Sequence, residues 1–177
     1  MAFKTQDPNG NGKNDEIPLS GAAVGWRTQT PSFLMNAFVY YNHNDPVKGL
    51  MIVDGDMQFA PVTDEWRDGL RFYRRLYQDG LLDPSAFTQH NSELKQLVEN
   101  PDGALVGATT AGAPGAFTNM YGPSGRYREY TAVPPLTGPD GVRTVAYYGT
   151  PSGSKGPKAN RFLITSENPY PVVSAKW

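Results

Sequence analysis

The chain has 177 residues with 38% apolar content, enough to bury one core, and 16 basic against 17 acidic residues, a net charge of −1. That even mixture offers no polybasic surface for a nucleic-acid backbone, and zero cysteines exclude disulfides, thiolate metal sites and cysteine nucleophiles. The sequence carries no signal peptide and no membrane-spanning run, so no direct insertion into a membrane is expected. Its 19 glycines and 16 prolines predict many irregular loops, while 10 tyrosines can serve a core or a ligand face.

The first element is a loop, Asp-Pro-Asn-Gly-Asn-Gly-Lys-Asn-Asp-Glu over residues 7–16. Asp7, Asn9, Asn11 and Asp15 alternate as short oxygen donors, with Gly12 where a calcium loop turns sharply. Calcium takes about six to eight oxygens, and a donor set at this spacing can converge on one centre. Lys13 stands where an EF-hand loop offers a backbone carbonyl. The twelfth position, which an EF-hand fills with Glu, is Pro18; Glu16 is the replacement ligand, and Pro18 argues against an exit helix. The spacing predicts a structural calcium loop of a non-EF-hand protein. The alternative is an Asx- and Gly-rich turn held by side-chain to backbone hydrogen bonds, which leaves Asp15 and Glu16 unexplained.

Ile17 to Leu19 reads as a strand, and a Gly-rich turn leads to Trp26. Residues 32–41 predict a mostly buried helix. Residues 49–53 and 57–59 flank Asp54-Gly55-Asp56 as a hairpin. Thr63 is placed to cap a helix with Asp64 and Glu65 in its first turn, Trp66, Leu70, Tyr73 and Tyr77 as an apolar stripe, and Gly80 as terminator. Asp83-Pro84 opens a short turn or helix, residues 92–98 an amphipathic helix and residues 104–108 a buried strand. Residues 110–125 form a Gly/Pro-rich loop with one helical turn around Phe117. Residues 128–136, 142–148 and 162–165 read as strands, 151–157 as a polar turn, and 171–177 as a helix cut short. The mixture is α/β.

These stretches carry a resemblance. Residues 7–19 (Asp-Pro-Asn-Gly-Asn-Gly-Lys-Asn-Asp-Glu-Ile-Pro-Leu), 59–65 (Phe-Ala-Pro-Val-Thr-Asp-Glu), 76–84 (Leu-Tyr-Gln-Asp-Gly-Leu-Leu-Asp-Pro) and 132–136 (Ala-Val-Pro-Pro-Leu) resemble the extracellular solute-binding proteins of ABC importers. The similarity is to their large Gram-positive lipoprotein-like branch and to alginate-binding proteins. It implies a partial periplasmic-binding-protein-like (type II) lobe, a mixed sheet flanked by helices, with residues 1–177 as a single incomplete lobe, chiefly the first part of the second. It further implies an extracellular parent anchored to the membrane, with signal and anchor outside this chain, an oligosaccharide or sugar-derived ligand, and an ABC permease as partner. By the same resemblance the cofactor is structural Ca2+, held by the side chains of Asp7, Asn9, Asn11, Asp15 and Glu16 and the Lys13 carbonyl.

Sugar rings present apolar faces and dense hydroxyls, so their sites combine flat aromatics with hydrogen-bonding groups. Trp26, Tyr121, Tyr147 and Tyr148 are the candidate aromatics, and Arg126 and Arg128 could meet a carboxylated sugar. Catalysis is not expected. Asp54 and Asp56 suit a hairpin turn and Asp64 and Glu65 a helix start, so neither pair requires a glycosidase role. His43 and His90 supply no metal triad, and no Gly-x-Ser-x-Gly elbow exists. A calcium-stabilised carbohydrate-binding or adhesion module is the alternative to transport.

Overall fold

The computed structural model describes residues 2–42, 49–101, 103–145 and 167–175. The chain divides into two compact units, Met1–Ala146 and Tyr147–Trp177. In the second, the described residues hold one short helix, Pro171–Ala175, as expected from the sequence. The expected strand at 162–165, the turn at 151–157, His43, Tyr147, Tyr148 and Trp177 lie outside the described residues.

In the first unit a short helix α1 (Ala2–Thr5) precedes the Asp/Asn loop, and strand β1 (Ile17–Ser20) follows it. A strand, not a helix, leaves the loop, as Pro18 requires. β1 pairs in parallel with β4 (Val106–Thr109), with Ile17 opposite Val106 and Leu19 opposite Ala108. Leu82 adds a parallel bridge to Leu19. The close pairing of α1 with this sheet depends on Gly107, where a Cβ would meet the Phe3 ring at 2.9–3.0 Å.

Two buried clusters flank the parallel pair. Helix α4 (Asn91–Val98) contributes Leu94 and Val98, which pack with Ala22, Val106 and Phe117. Helix α3 (Asp64–Gln78) contributes Tyr73, which packs with Leu34, Leu82 and Ala86. β1 supplies Ile17 to the first cluster and Leu19 to the second. Burying each large aliphatic side chain contributes roughly 1.5–3 kcal/mol.

α3 starts as the sequence indicates: Thr63 Oγ1 accepts the Trp66 N–H at 3.3 Å, and Asp64 and Glu65 sit at the positive dipole end. Gly80, at φ 63°, ends it. The apolar stripe differs from the expected one. Leu70 is 50% exposed, and the buried face runs through Gly69 and Tyr73. Gly69 wins this position because Met35 presses against the helix there, its Sδ only 2.9 Å from where a Cβ would stand. The hairpin forms as expected from β2 (Leu50–Val53) and β3 (Asp56–Phe59), turning through Asp54 and Gly55, both at positive φ.

Other expectations are corrected. The helix expected over 32–41 is limited to α2 (Pro31–Leu34) and a 3-10 turn, Met35–Ala37. Asn36 is the cause: its amide donates to Ser32 O at 3.0 Å and Tyr41 O at 2.9 Å, and its Oδ1 accepts the Tyr41 N–H at 3.2 Å. This side chain folds the backbone back on itself in place of further helical bonds. Residues 128–136 form no strand. A 3-10 turn, Arg126–Glu129, is followed by an irregular run through Pro134-Pro135, which lacks two of the N–H donors a ladder needs. The portion of 142–148 that is described, 142–145, is also irregular.

Candidate functional site

In open α/β sheets, ligands bind beyond the carboxyl ends of parallel strands. Here β1 and β4 end together at Ser20 and Thr109. The loops that leave them, 21–30 and 110–118, are tied to each other. Ala22 N–H donates to Thr28 O at 2.9 Å, and Thr110 Oγ1 donates to the same carbonyl at 3.0 Å. Gly112 N–H donates to Trp26 O at 2.9 Å.

Trp26 stands at the centre of this pair of loops and is 50% exposed. Its ring covers Gly112, where a Cβ would approach ring atoms to 2.6–2.8 Å. The backbone around it is constrained: Gly25 has φ 154° and Arg27 φ 57°, a left-handed conformation unusual for a residue with a side chain. A Cβ at Gly25 would stand 2.6 Å from Thr28 Oγ1 and 2.7 Å from Asn91 Cβ. The loop therefore displays a flat apolar surface on a fixed backbone. Helix α4 reinforces it, with Asn91 N–H donating to Val24 O at 2.9 Å.

Tyr121 is 96% exposed on the following loop. Arg126 is engaged within the chain, donating to Asn100 O at 2.8 Å and to the Glu129 carboxylate at 3.1 and 3.2 Å. Arg128 is exposed; its Nε donates to Tyr127 OH at 3.0 Å and its guanidinium lies 5.3 Å from that ring's centre. Tyr130 packs edge-on against Phe117 and donates to Val106 O at 2.6 Å. Burial, then the neighbouring Glu129 charge, raises its phenol to about 12. Two open cavities of about 590 and 580 Å³ are lined by other residues, among them Thr88, Glu93 and Gln96 in one and Arg71, Arg74 and Arg75 in the other.

The Asp/Asn loop is folded around its own amides. Asp7 Oδ1 accepts the Asn11 N–H at 3.1 Å and Oδ2 the Gly12 N–H at 2.9 Å. Asn9 Oδ1 also accepts the Asn11 N–H, at 3.0 Å, and Asn11 Oδ1 accepts the Lys13 N–H at 2.7 Å. Asn11 Nδ2 faces the Asp15 carboxylate at 3.3 and 3.4 Å. These bonds belong to an Asx turn, yet each accepting oxygen keeps a second lone pair. Glu16 is only 8% exposed, and both its carboxylate oxygens are buried without a hydrogen-bond partner among the described residues. An ionised buried carboxylate in that state calls for a cation. Among the described residues no three of His, Cys, Asp and Glu gather as a metal-holding group. A calcium ion here would therefore draw on Asn9, Asn11 and a carbonyl as well as the acids, and the oxygen-only donor set suits that hard ion.

No family model matches the chain. The Fructooligosaccharide ABC transporter substrate-binding protein FusA of Streptococcus pneumoniae serotype 4 (strain ATCC BAA-334 / TIGR4) is 31% identical over 178 residues, covering 99% of this chain and 30% of that protein. The solved structure of S. pneumoniae FusA in complex with kestose matches at a TM-score of 0.62 and 29% identity, over 82% of this chain and 27% of that one. A FusA EF-hand mutant in complex with fructo-nystose matches at 0.61 and 28% identity, over 82% and 27%. An extracellular solute-binding protein from Bifidobacterium longum subsp. infantis matches at 0.64 and 25% identity, over 78% and 28%. The chain spans about three-tenths of the length of the curated relative. Sequence and fold thus agree with the resemblance read from the motifs: the chain matches one stretch of an ABC-transporter substrate-binding protein.

Proposed function

We propose that the whole protein captures an oligosaccharide outside the cell and delivers it to an ABC importer without chemistry. The observation that carries this reading is Trp26, held half-exposed on Gly112 where two loops meet beyond the carboxyl ends of β1 and β4. A fixed aromatic face stacks on the apolar face of a sugar ring, and the surrounding loop amides and hydroxyls meet its hydroxyl groups. Ligand binding between two lobes favours the closed state, and the closed protein is what the permease receives; this requires tighter binding to closed than to open protein. The similarity to a fructooligosaccharide-binding relative makes fructose oligomers the first ligands to test.

The test is calorimetric titration of the whole protein with kestose, in the parent sequence and in Trp26→Ala. Saturable binding weakened at least about tenfold by the substitution is expected, as for a central aromatic contact. Failure to bind kestose or any other oligosaccharide would falsify the transport reading. Equal affinity in both proteins would remove Trp26 from the site.

Residues 7–16 are the structural calcium loop in this reading, with Asp7, Asn9, Asn11, Asp15 and Glu16 as side-chain ligands and Lys13 giving its carbonyl. The support is the donor spacing, the buried unpaired carboxylate of Glu16, and a relative that has an EF-hand to mutate. The ion would tie α1 to β1 and neutralise Glu16.

A further inference from the structure

Glu99 ends α4 as its C-cap residue, where the helix dipole is negative and a carboxylate is unfavourable. What offsets this lies 19–25 residues further along the chain. Glu99 Oε1 accepts the Asn119 N–H at 2.8 Å and the Thr118 hydroxyl, and Oε2 accepts the Ser124 hydroxyl. Three donors from one loop thus converge on one carboxylate. Arg126 adds its charge and grips the same helix end through Asn100 O. Between these donors the chain makes two successive turns, Gly122 N–H to Asn119 O and Gly125 N–H to Gly122 O, and carries the exposed Tyr121.

We propose that Glu99 is a latch: its ionised carboxylate holds the 118–126 loop, and with it Tyr121, to the end of α4, and loss of that charge releases the loop while α4 stays folded. The latch stands whether or not Tyr121 meets a ligand. The groups that face it are Arg126, with Glu129 paired behind it, and Tyr130 across the loop; on α4 itself Lys95 stands one turn back, its carbonyl accepting the Glu99 N–H at 2.8 Å. Burial opposes ionisation of Glu99, but the Asn119 N–H, the Ser124 and Thr118 hydroxyls and the Arg126 charge outweigh it. Its carboxyl is held below the ordinary 4.5. A depressed carboxylate contributes its stabilisation above the unfolded-state value and loses it as pH falls through the folded one. The latch is therefore closed at neutral pH and opens only in acid.

The experiment is hydrogen exchange of the 177-residue chain, together with limited trypsin cleavage after Arg126 and Arg128 at neutral pH. It compares the parent sequence, Glu99→Ala, and a loop-side double variant, Thr118→Val with Ser124→Ala. Both variants should raise exchange over 118–126 and cleavage after those arginines by at least about tenfold, because cleavage tracks the open population. Residues 91–98 should keep their protection. In the parent sequence the same loop should gain exchange, beyond the intrinsic pH trend, only below the ordinary carboxyl range. Unchanged loop exchange and cleavage in both variants would overturn the latch. So would equal loss of protection in α4, which would make Glu99 a residue of general stability.

Discussion

The ring of Trp26 rests on Gly112 so closely that a single added carbon at 112 would enter it, at 2.6 Å from the nearest ring atom. The contact joins the loop after β1 to the loop after β4 and is backed by the Gly112 N–H to Trp26 O bond. Gly112→Ala is expected to push the indole away from this seat while leaving the core clusters intact, since neither contains residue 112. The emission of Trp26 should shift to the red, read against the same substitution in a Trp26→Phe background. In the whole protein, oligosaccharide affinity should fall by about tenfold. An unchanged spectrum would show that the ring has room to tilt.

Calcium removal tests the loop over 7–16. Chelator-stripped protein should melt at a lower temperature than protein with calcium added back, and calorimetry should show one saturable site. A ligand that binds only the folded state stabilises by about 2.7 kcal/mol at a hundred times its dissociation constant. Asp7→Ala with Asp15→Ala should abolish both effects. Glu16→Gln should weaken binding while costing the metal-free protein little, because the carboxylate oxygens it alters are buried with no hydrogen-bond partner among the described residues. If the stripped protein and the double variant both keep the calcium-dependent shift, the ion sits elsewhere.

Legibility in the sequence followed the range of the interactions. The hairpin, α3 and its Thr63 cap, and the Gly80 terminator were readable because turn and capping residues act within four positions. Trp26 stood out because it followed a Gly-rich segment outside any helical stripe. The termination of α2 was missed because one side chain, Asn36, redirects the backbone, and an apolar pattern does not report that. Leu70 and Gly69 exchanged roles because Met35, distant in sequence, needs space at the helix. Glu99 and Gly112 carry no local signal; only their partners, 19 to 86 positions away in sequence, distinguish them from an ordinary surface acid and an ordinary loop glycine.

Gln89 ties the end of β1 to Asp83 next to the candidate site. Its Nε2 donates to Gly21 O at 2.6 Å and Ser20 Oγ at 3.1 Å and lies 3.4 Å from Asp83 Oδ2, while Ser20 Oγ donates to Asp83 Oδ2 at 2.7 Å. Replacing Gln89 with Leu keeps volume but leaves the buried Gly21 carbonyl without this donor. The expected loss is about 1–3 kcal/mol, measured by denaturant unfolding. Ser20→Ala with Gln89→Leu should be less than additive, because the two side chains share Asp83. Additive losses would mean that the three groups do not act as one network.

Tyr73 provides the opposite case, a buried polar group whose removal should help. The side chain belongs to the cluster with Leu34, Leu82 and Ala86 and meets Phe87 edge-on, with ring centres 6.1 Å apart. Its hydroxyl is buried without a hydrogen-bond partner among the described residues, and burial pushes the phenol well above its ordinary value of 10. Tyr73→Phe keeps the ring, its contacts and the fit against Phe87 while removing the desolvated hydroxyl. Stability should be unchanged or higher by about 1 kcal/mol, a rise in melting temperature of about 2–4 °C for a chain of this size. Tyr73→Ala should instead cost about 3–5 kcal/mol, because the ring itself is lost from the cluster. A clear fall in melting temperature for Tyr73→Phe would mean that the hydroxyl has found a partner in solution, a bound water being the nearest kind.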